Sequence, residues 1–353
     1  MKIITSFPGA NAVIDRVDGD TVYLRPDLRD TARDWFYWCF AVSGAKGRTV
    51  SFRFDSDIRV GYYGPAVSRD LVSFRWLNGG QAERDRFTFS FRDDGTVFFA
   101  HDMLYRPERL EALRSLPGVC TGVLCISPGG REVPYFTIGN GERSIVLTAR
   151  HHACESTGSY VLDGIIRAMS RRPPAGCTVF CVPMVDLDGV TAGDQGKDRA
   201  PHDHNRDYGR DREPVYPEVR ALRKYIDTHR VIFGLDCHSP YHLGGEHDTV
   251  YVVRKDTGKY DRIARFSELL EQHVTKRSLP YRAENDRSSR NAEWVSDECP
   301  DFAGYVLSSG REAVACALET TYFGMPGSRF SPARALELGR CAARALCRFA
   351  EEG

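Results

Sequence analysis

The sequence predicts an all-β sandwich over residues 1–103 followed by an α/β domain over 104–353. Up to about residue 103 the apolar segments are short, aromatic and β-branched, and turn residues separate them; after Pro107 apolar runs alternate with helical stretches to the C-terminus. A further observation points to a site. Four clusters of unusual polar residues fall just past the carboxyl ends of four predicted strands, where open α/β sheets bind ligands.

The sandwich strands are expected at 35–42 (WFYWCFAV), 50–54 (VSFRF), 72–76 (VSFRW), 87–91 (FTFSF) and 96–100 (TVFFA), several of them alternating apolar with polar residues. Gly44, Gly47, Gly64, Gly79, Gly80 and Gly95 punctuate the stretches between them. In the second half, strands are expected at 144–149, 178–182, 231–237, 249–253 and 313–318. Helices are expected at 160–170, with Leu162, Ile165, Ile166 and Met169 on one face, and at 217–228, 260–277 and 332–351, the last with Ser331 as N-cap and Pro332 in the first turn.

Composition narrows the function. The 353 residues carry 48 basic and 48 acidic side chains, so the long-range field that a non-specific nucleic-acid or anionic-membrane binder uses is missing. A hydrophobic fraction of 42% with 19 Phe and 16 Tyr fills a sizeable core and excludes wholesale disorder. A single Lys precedes a short, interrupted apolar stretch at the N-terminus, and no uncharged apolar run of about 18 residues occurs, so neither a signal peptide nor a membrane span is expected. Eleven cysteines, an odd number without a CxxC pair and with Cys181, Cys237 and Cys316 inside apolar runs, read as reduced core residues and a cytoplasmic location.

The first polar cluster, ARHHACESTGS, sets His152 and Glu155 three residues apart in a turn between strand and helix, close enough to grip one cation. His151 is an alternative partner for Glu155 at helical spacing. His238, at the end of VIFGLDCH, is the candidate third ligand; two His and one Glu leave one position open for water, the pattern of a catalytic rather than a structural Zn²⁺ site. The Gly-, Asp-, His- and Arg-rich stretch after TVFCVP reads as a loop, and its HNRD segment offers Asn205 and Arg206 for bidentate capture of a carboxylate. Asp203 is placed to accept from a metal-bound imidazole. Glu319 ends the strand AVACAL, where burial beside a cation would set its pKa for work as a general base.

Taken in order, HxxE at 152–155, DLDG at 186–189, Asn205 and Arg206, DCHS at 236–239 and Glu319 resemble the motifs of the M14 family of zinc carboxypeptidases over about residues 105–350. The cytosolic carboxypeptidase branch is the closer likeness, through WFYW at 35–38, GYYG at 61–64 and the TAR-HHACE segment. The resemblance implies a mixed-sheet catalytic domain after an N-terminal β-sandwich. It implies one Zn²⁺ per chain on His152, Glu155 and His238, the substrate carboxylate on Asn205 and Arg206, and a water activated by Glu319. The implied activity is removal of a C-terminal residue from a peptide or protein tail, with neither nucleic acid nor membrane as partner. A deacylase of small N-acyl amino acids, or an inactive peptide-binding module, are the alternatives.

Three departures bear on substrate handling. Gly196 stands where the branch places an arginine that stabilises the oxyanion, so Lys197 or Arg199 must substitute, and Arg199 is favoured for its two parallel donors. The mobile tyrosine of many members has only Tyr305 and Tyr281 as nearby options, and Cys154 occupies a place where some relatives have a substrate-binding arginine. Residues 301–309 are expected to help form the pocket for the terminal side chain. His101, His229 and His273 read as ordinary surface residues, His202 and His204 as neighbours of the pocket, and His242 and His247 as rim residues.

Overall fold

The computed structural model describes residues 1–240 and 243–352. In the N-terminal part, β2 (Val13–Asp18), β3 (Thr21–Arg25), β5 (Thr49–Phe54) and β8 (Arg86–Ser90) form a four-stranded sheet in that order. A five-stranded sheet has the order β1 (Lys2–Ile4), β4 (Cys39–Ser43), β9 (Val97–Ala100), β6 (Ala66–Ser68) and β7 (Phe74–Trp76). Period-2 alternation decides which side chains point inward: Val50, Phe52 and Phe54 are buried while Thr49 and Arg53 of the same strand are exposed. Phe52 and Phe87 from one sheet, 4.8 Å apart between ring centroids, each meet Phe99 from the other at 5.3 Å. This shared aromatic core makes the two sheets a sandwich, and truncating one of its rings to Ala costs about 3–5 kcal/mol.

The expected strand at 35–42 begins only at Cys39. Residues 35–38 precede the strand without regular secondary structure, with Trp38 buried and its indole nitrogen donating to Arg59 O at 2.6 Å. The strands β1, β2, β3 and β6 escape the apolar pattern because they are short or, like VIDRVD, half polar.

After the short helix α1 (Leu110–Arg114) comes a seven-stranded mixed sheet. Its order is β10 (Val119–Ile126), β11 (Glu132–Ile138), β13 (Cys177–Val182), β12 (Arg143–Ala149), β14 (Arg230–His238), β16 (Val314–Glu319) and β15 (Tyr251–Val253). The central four are mutually parallel, and β10, β11 and β15 pair antiparallel at the two sides. Parallel strands covered on both faces need continuous apolar runs, which is why SIVLTA and VIFGLDC read so clearly. Strands β10 and β11 were hidden by Gly122 and Pro134; the proline sits beside a register shift, where a missing N–H is tolerated.

The helices are α2 (Ser156–Met169), α3 (Leu187–Ala192), α4 (Pro217–Thr228), α5 (Tyr260–His273), α6 (Phe302–Ser309) and α7 (Pro332–Glu352). Helix α5 stops four residues before its expected end because Val274 turns extended, with ψ 136°. Helices α2 and α7 cross closely through two glycines: a Cβ on Gly164 would lie 2.2 Å from Leu336 O, and one on Gly339 2.1 Å from Val161 O. A small hairpin, β17 (Gly324–Met325) and β18 (Ser328–Arg329), precedes α7. All eleven cysteines are unpaired, and no described helix is long and apolar enough to cross a membrane.

Candidate active site

The parallel register brings the polar clusters to one sheet edge. Ala149 at the end of β12 pairs with Cys237 of β14, and His238 pairs with Glu319 at the end of β16. Past β12 the chain turns through Arg150 at φ 63° and enters α2 with Glu155 at the N-cap position. The start of α2 lies against β14 so closely that a Cβ on Gly158 would sit 2.7 Å from Cys237 O. Arg150 ties this turn down by donating to Ala153 O, to Tyr105 O at 2.5 Å and to Ser159 Oγ at 3.0 Å.

His152, Glu155 and His238 converge as the sequence leads one to expect. One ligand atom from each lies within 4.8 Å of the others. The Glu155 carboxylate is the hub: Oε1 is 2.8 Å from His152 Nδ1 and Oε2 is 2.7 Å from His238 Nδ1. Burial opposes its charge, but His152, Lys197 and His238 outweigh burial and hold it well below the usual carboxylate range. Two imidazole nitrogens and a buried anionic oxygen, converging at the mouth of a cleft, are a donor set suited to a divalent cation.

His151 does not join Glu155. Its Nδ1 lies 2.9 Å from Asp236 Oδ1 and its Nε2 2.8 Å from Tyr208 Oη, fully buried. Asp236 also accepts from Thr148 Oγ1 at 2.8 Å and approaches His238 Nε2 at 2.6 Å. The group His151, Asp236 and His238 also falls within metal-ligating distance, but Asp236 is enclosed by Thr148, His151 and His238 and serves to fix the His238 ring, leaving Nδ1 toward Glu155. Asp203 Oδ1 stands 3.7 Å from His152 Nε2, within ion-pair reach and beyond a hydrogen bond.

The cleft over this cluster has a volume of about 480 Å³ and is lined by His152, Glu155, Lys197, Asp203, Arg206, Ser239, Tyr251, Trp294 and Glu319, with Arg33 and Trp35 contributed by the N-terminal half. Arg206 lines it with no side-chain ion pair among the described residues, while Asn205 is buried, its amide 3.2 Å from His238 Nε2 and its oxygen accepting from Phe302 N at 3.2 Å. Glu319 Oε2 has no hydrogen-bond partner among the described residues. Burial first, and then Glu155, push its carboxyl above the usual range, against the pull of His238 and Lys197.

Arg199 is elsewhere. Its Nε donates to Asp30 at 3.0 Å, Nη1 to Asp186 at 2.7 Å and Nη2 to Asp194 at 3.0 Å, and it does not line the cleft. Lys197 does, with Nζ 2.6 Å from Glu155 Oε1 and 4.4 Å above the Trp35 ring. The left-handed turn at Gly196, φ 73°, sends Lys197 inward; the guanidinium two residues later is captured by three carboxylates.

Of the two tyrosines considered, Tyr305 donates to Asp227 at 2.5 Å and Tyr281 to Asp286 at 3.0 Å, and neither lines the cleft; Tyr251, the register partner of Glu319, does. Trp294 at the rim, 61% exposed, and Trp35 were absent from the sequence candidates. His101, expected at the surface, is buried among Phe36, Tyr322 and Phe323. His247 is exposed outside the cleft, and His242 lies outside the described residues. A larger surface cavity of about 750 Å³ beside α5 and α6 holds none of these groups; its Lys255 and Lys259 are engaged by backbone carbonyls.

A metallo-carboxypeptidase from Burkholderia cenocepacia superimposes on the chain with a TM-score of 0.80 over 99% of both chains at 18% identity. One from Pseudomonas aeruginosa, in complex with (2-guanidinoethylmercapto)succinic acid, gives 0.77 over 100% of both at 19% identity. The chain has the metallocarboxypeptidase fold. In sequence, this metallocarboxypeptidase-fold chain is 26% identical over 258 residues to an uncharacterized protein from Zymomonas mobilis, 67% of each, and 30% identical over 192 residues to cytosolic carboxypeptidase 2 from Xenopus tropicalis, 46% of this chain and 20% of that protein. The match spans between 19% and 53% of the length of the cytosolic carboxypeptidases. The resemblance to the cytosolic branch therefore holds, and no family model matches the chain.

Proposed function

We propose that the protein is a zinc metallocarboxypeptidase that hydrolyses the last peptide bond of a peptide or protein tail, acting in the cytoplasm. The observation that carries this reading is the meeting of His152, Glu155, Arg206 and Glu319 in one cleft, with His238 Nδ1 2.7 Å from Glu155 Oε2. Residues 104–353 carry the metal ligands, and residues 1–103 supply one wall through Arg33 and Trp35, which supports an extended chain over a small N-acyl amino acid as substrate. All ligand and base positions are filled, which argues against an inactive binding module.

When bound, Zn²⁺ supplies Lewis-acid polarisation of the scissile carbonyl and a water acidified toward neutral pH. His152, Glu155 and His238 would hold it, and Asp236 keeps the His238 ring in the orientation that presents Nδ1. Arg206, with Asn205 beside it, holds the terminal carboxylate and so fixes which bond reaches the base. Glu319 Oε2, without a hydrogen-bond partner among the described residues, takes a proton from the attacking water and returns it to the leaving amine. Lys197, rather than Arg199, donates to the negative charge that develops on the carbonyl oxygen. The test is trimming of matched peptides with free and amidated C-termini: turnover confined to the free acid is expected, and equal turnover contradicts the role given to Arg206.

A further inference from the structure

The N-terminal half lines the cleft through Arg33 and Trp35, and it also holds the loop 193–199 that carries Lys197. Asn11 Nδ2 donates to Gly193 O at 2.7 Å, and Gln195 exchanges two hydrogen bonds with the Tyr37 backbone at 3.0 and 2.9 Å. Trp35 Nε1 donates to Asp198 Oδ2 at 2.9 Å. The strongest anchor is Asp30. Its Oδ1 accepts from Gln195 N at 3.0 Å, and its Oδ2 accepts from Gly196 N at 2.8 Å and from Arg199 Nε at 3.0 Å.

One carboxylate thus grips two successive peptide N–H groups immediately before Lys197, through charge-assisted bonds about twice as strong as neutral ones. The loop cannot retreat in the other direction either: Cys154 N donates to Gln195 O at 3.2 Å, and a Cβ on Gly196 would lie 2.1 Å from Ala153 N. Between these two walls the chain direction at Lys197 is fixed, and its long, otherwise flexible side chain runs over Trp35 to Glu155.

We infer that Asp30 is a positioning residue, which aims Lys197 into the cleft, so that part of the site's electrophilic apparatus is built by the N-terminal half. The inference rests on the role proposed above for Lys197.

The experiment compares the full-length wild type with Asp30→Ala, the size-conserving Asp30→Asn, Lys197→Met, the Asp30→Ala/Lys197→Met double variant, and Asp15→Ala, which breaks only an exposed ion pair in the same half. Two readouts are taken: the acylation rate of Lys197 by an amine-reactive ester, followed by mass spectrometry, and kcat and KM for a trimmed peptide. Asp30→Ala should raise Lys197 labelling at least about threefold and lower kcat by up to about a hundredfold with little change in KM, as a displacement of about 1 Å does. In the Lys197→Met background it should cost no more than about twofold. Asp15→Ala should match wild type in both. If Asp30→Ala does not fold, Asp30→Asn carries the same comparison. Unchanged labelling, or losses that multiply in the double variant, overturn the inference. A wild type that trims nothing while Asp30→Ala still frees Lys197 would sink the carboxypeptidase reading and leave the positioning role standing.

Discussion

His238 and Glu319 are register partners at the carboxyl ends of two adjacent parallel strands, β14 and β16. Their backbones are therefore locked side by side by the sheet, which sets the proposed third metal ligand beside the proposed base without help from any flexible loop. Glu319→Gln, which keeps shape and removes the base, should retain metal and lose kcat by about 10²–10⁴-fold. Stopped activity with unchanged metal content in the variant is the check; retained turnover would move the base elsewhere.

Asp236 is buried and encloses the far side of His238. Asp236→Asn should weaken metal binding by about 10–100-fold, measured by competition with a chelator, because the His238 ring loses the partner that fixes its orientation. An unchanged affinity would mean that His151 and Asn205 suffice to hold the ring.

Arg199 and Lys197 differ in their surroundings: one is held among carboxylates and the other lines the cleft. The Arg199 guanidinium is 14% exposed and faces Asp30, Asp186 and Asp194. Arg199→Ala strands three carboxylates and should cost about 3–5 kcal/mol of stability in denaturant unfolding with kcat of the folded protein little changed, whereas Lys197→Met should lower kcat by about 10²–10³-fold. The reverse pattern would restore Arg199 to the reaction.

Asp102 gives the fold a pH signature away from the cleft. It is fully buried, and burial pushes its carboxyl up to about 7 against the pull of Arg150. The folded state then binds a proton that the unfolded chain has released, so this group's contribution is intact below about 4 and is lost as pH rises to about 7. Asp102→Asn should unfold like wild type near pH 4 and be more stable by a few kcal/mol at pH 8, since each tenfold difference in proton affinity between the two states is worth about 1.4 kcal/mol. A constant difference between the two proteins across that range would contradict the assignment.

What the sequence reveals here depends on how far a residue stands from a regular element. His152, Glu155, His238 and Glu319 were legible because each lies at or just past the end of a continuous apolar strand, and the ends of β12, β14 and β16 meet by parallel pairing. Lys197 and Arg199 were not separable, since two left-handed residues, Gly196 and Asp198 on either side of Lys197, decide which of two neighbouring cations turns inward. Helix α3 was hidden inside a polar loop, although Asp186 accepting from Gly189 N is an N-cap whose Asp-x-x spacing was available as a signal. Asp30 carried no signal, and Trp35 read only as the start of WFYW and not as a cleft residue, because their partners lie more than 160 residues away in the chain.

The most direct test of the central claim is metal analysis of the purified wild type beside His152→Ala and His238→Ala, with C-terminal trimming of a peptide library followed by mass spectrometry on the same samples. One zinc per chain in the wild type, lost from both variants together with the removal of single C-terminal residues, is the expected result. A wild type that binds no zinc, or variants that trim as it does, would contradict a metallocarboxypeptidase built on His152, Glu155 and His238.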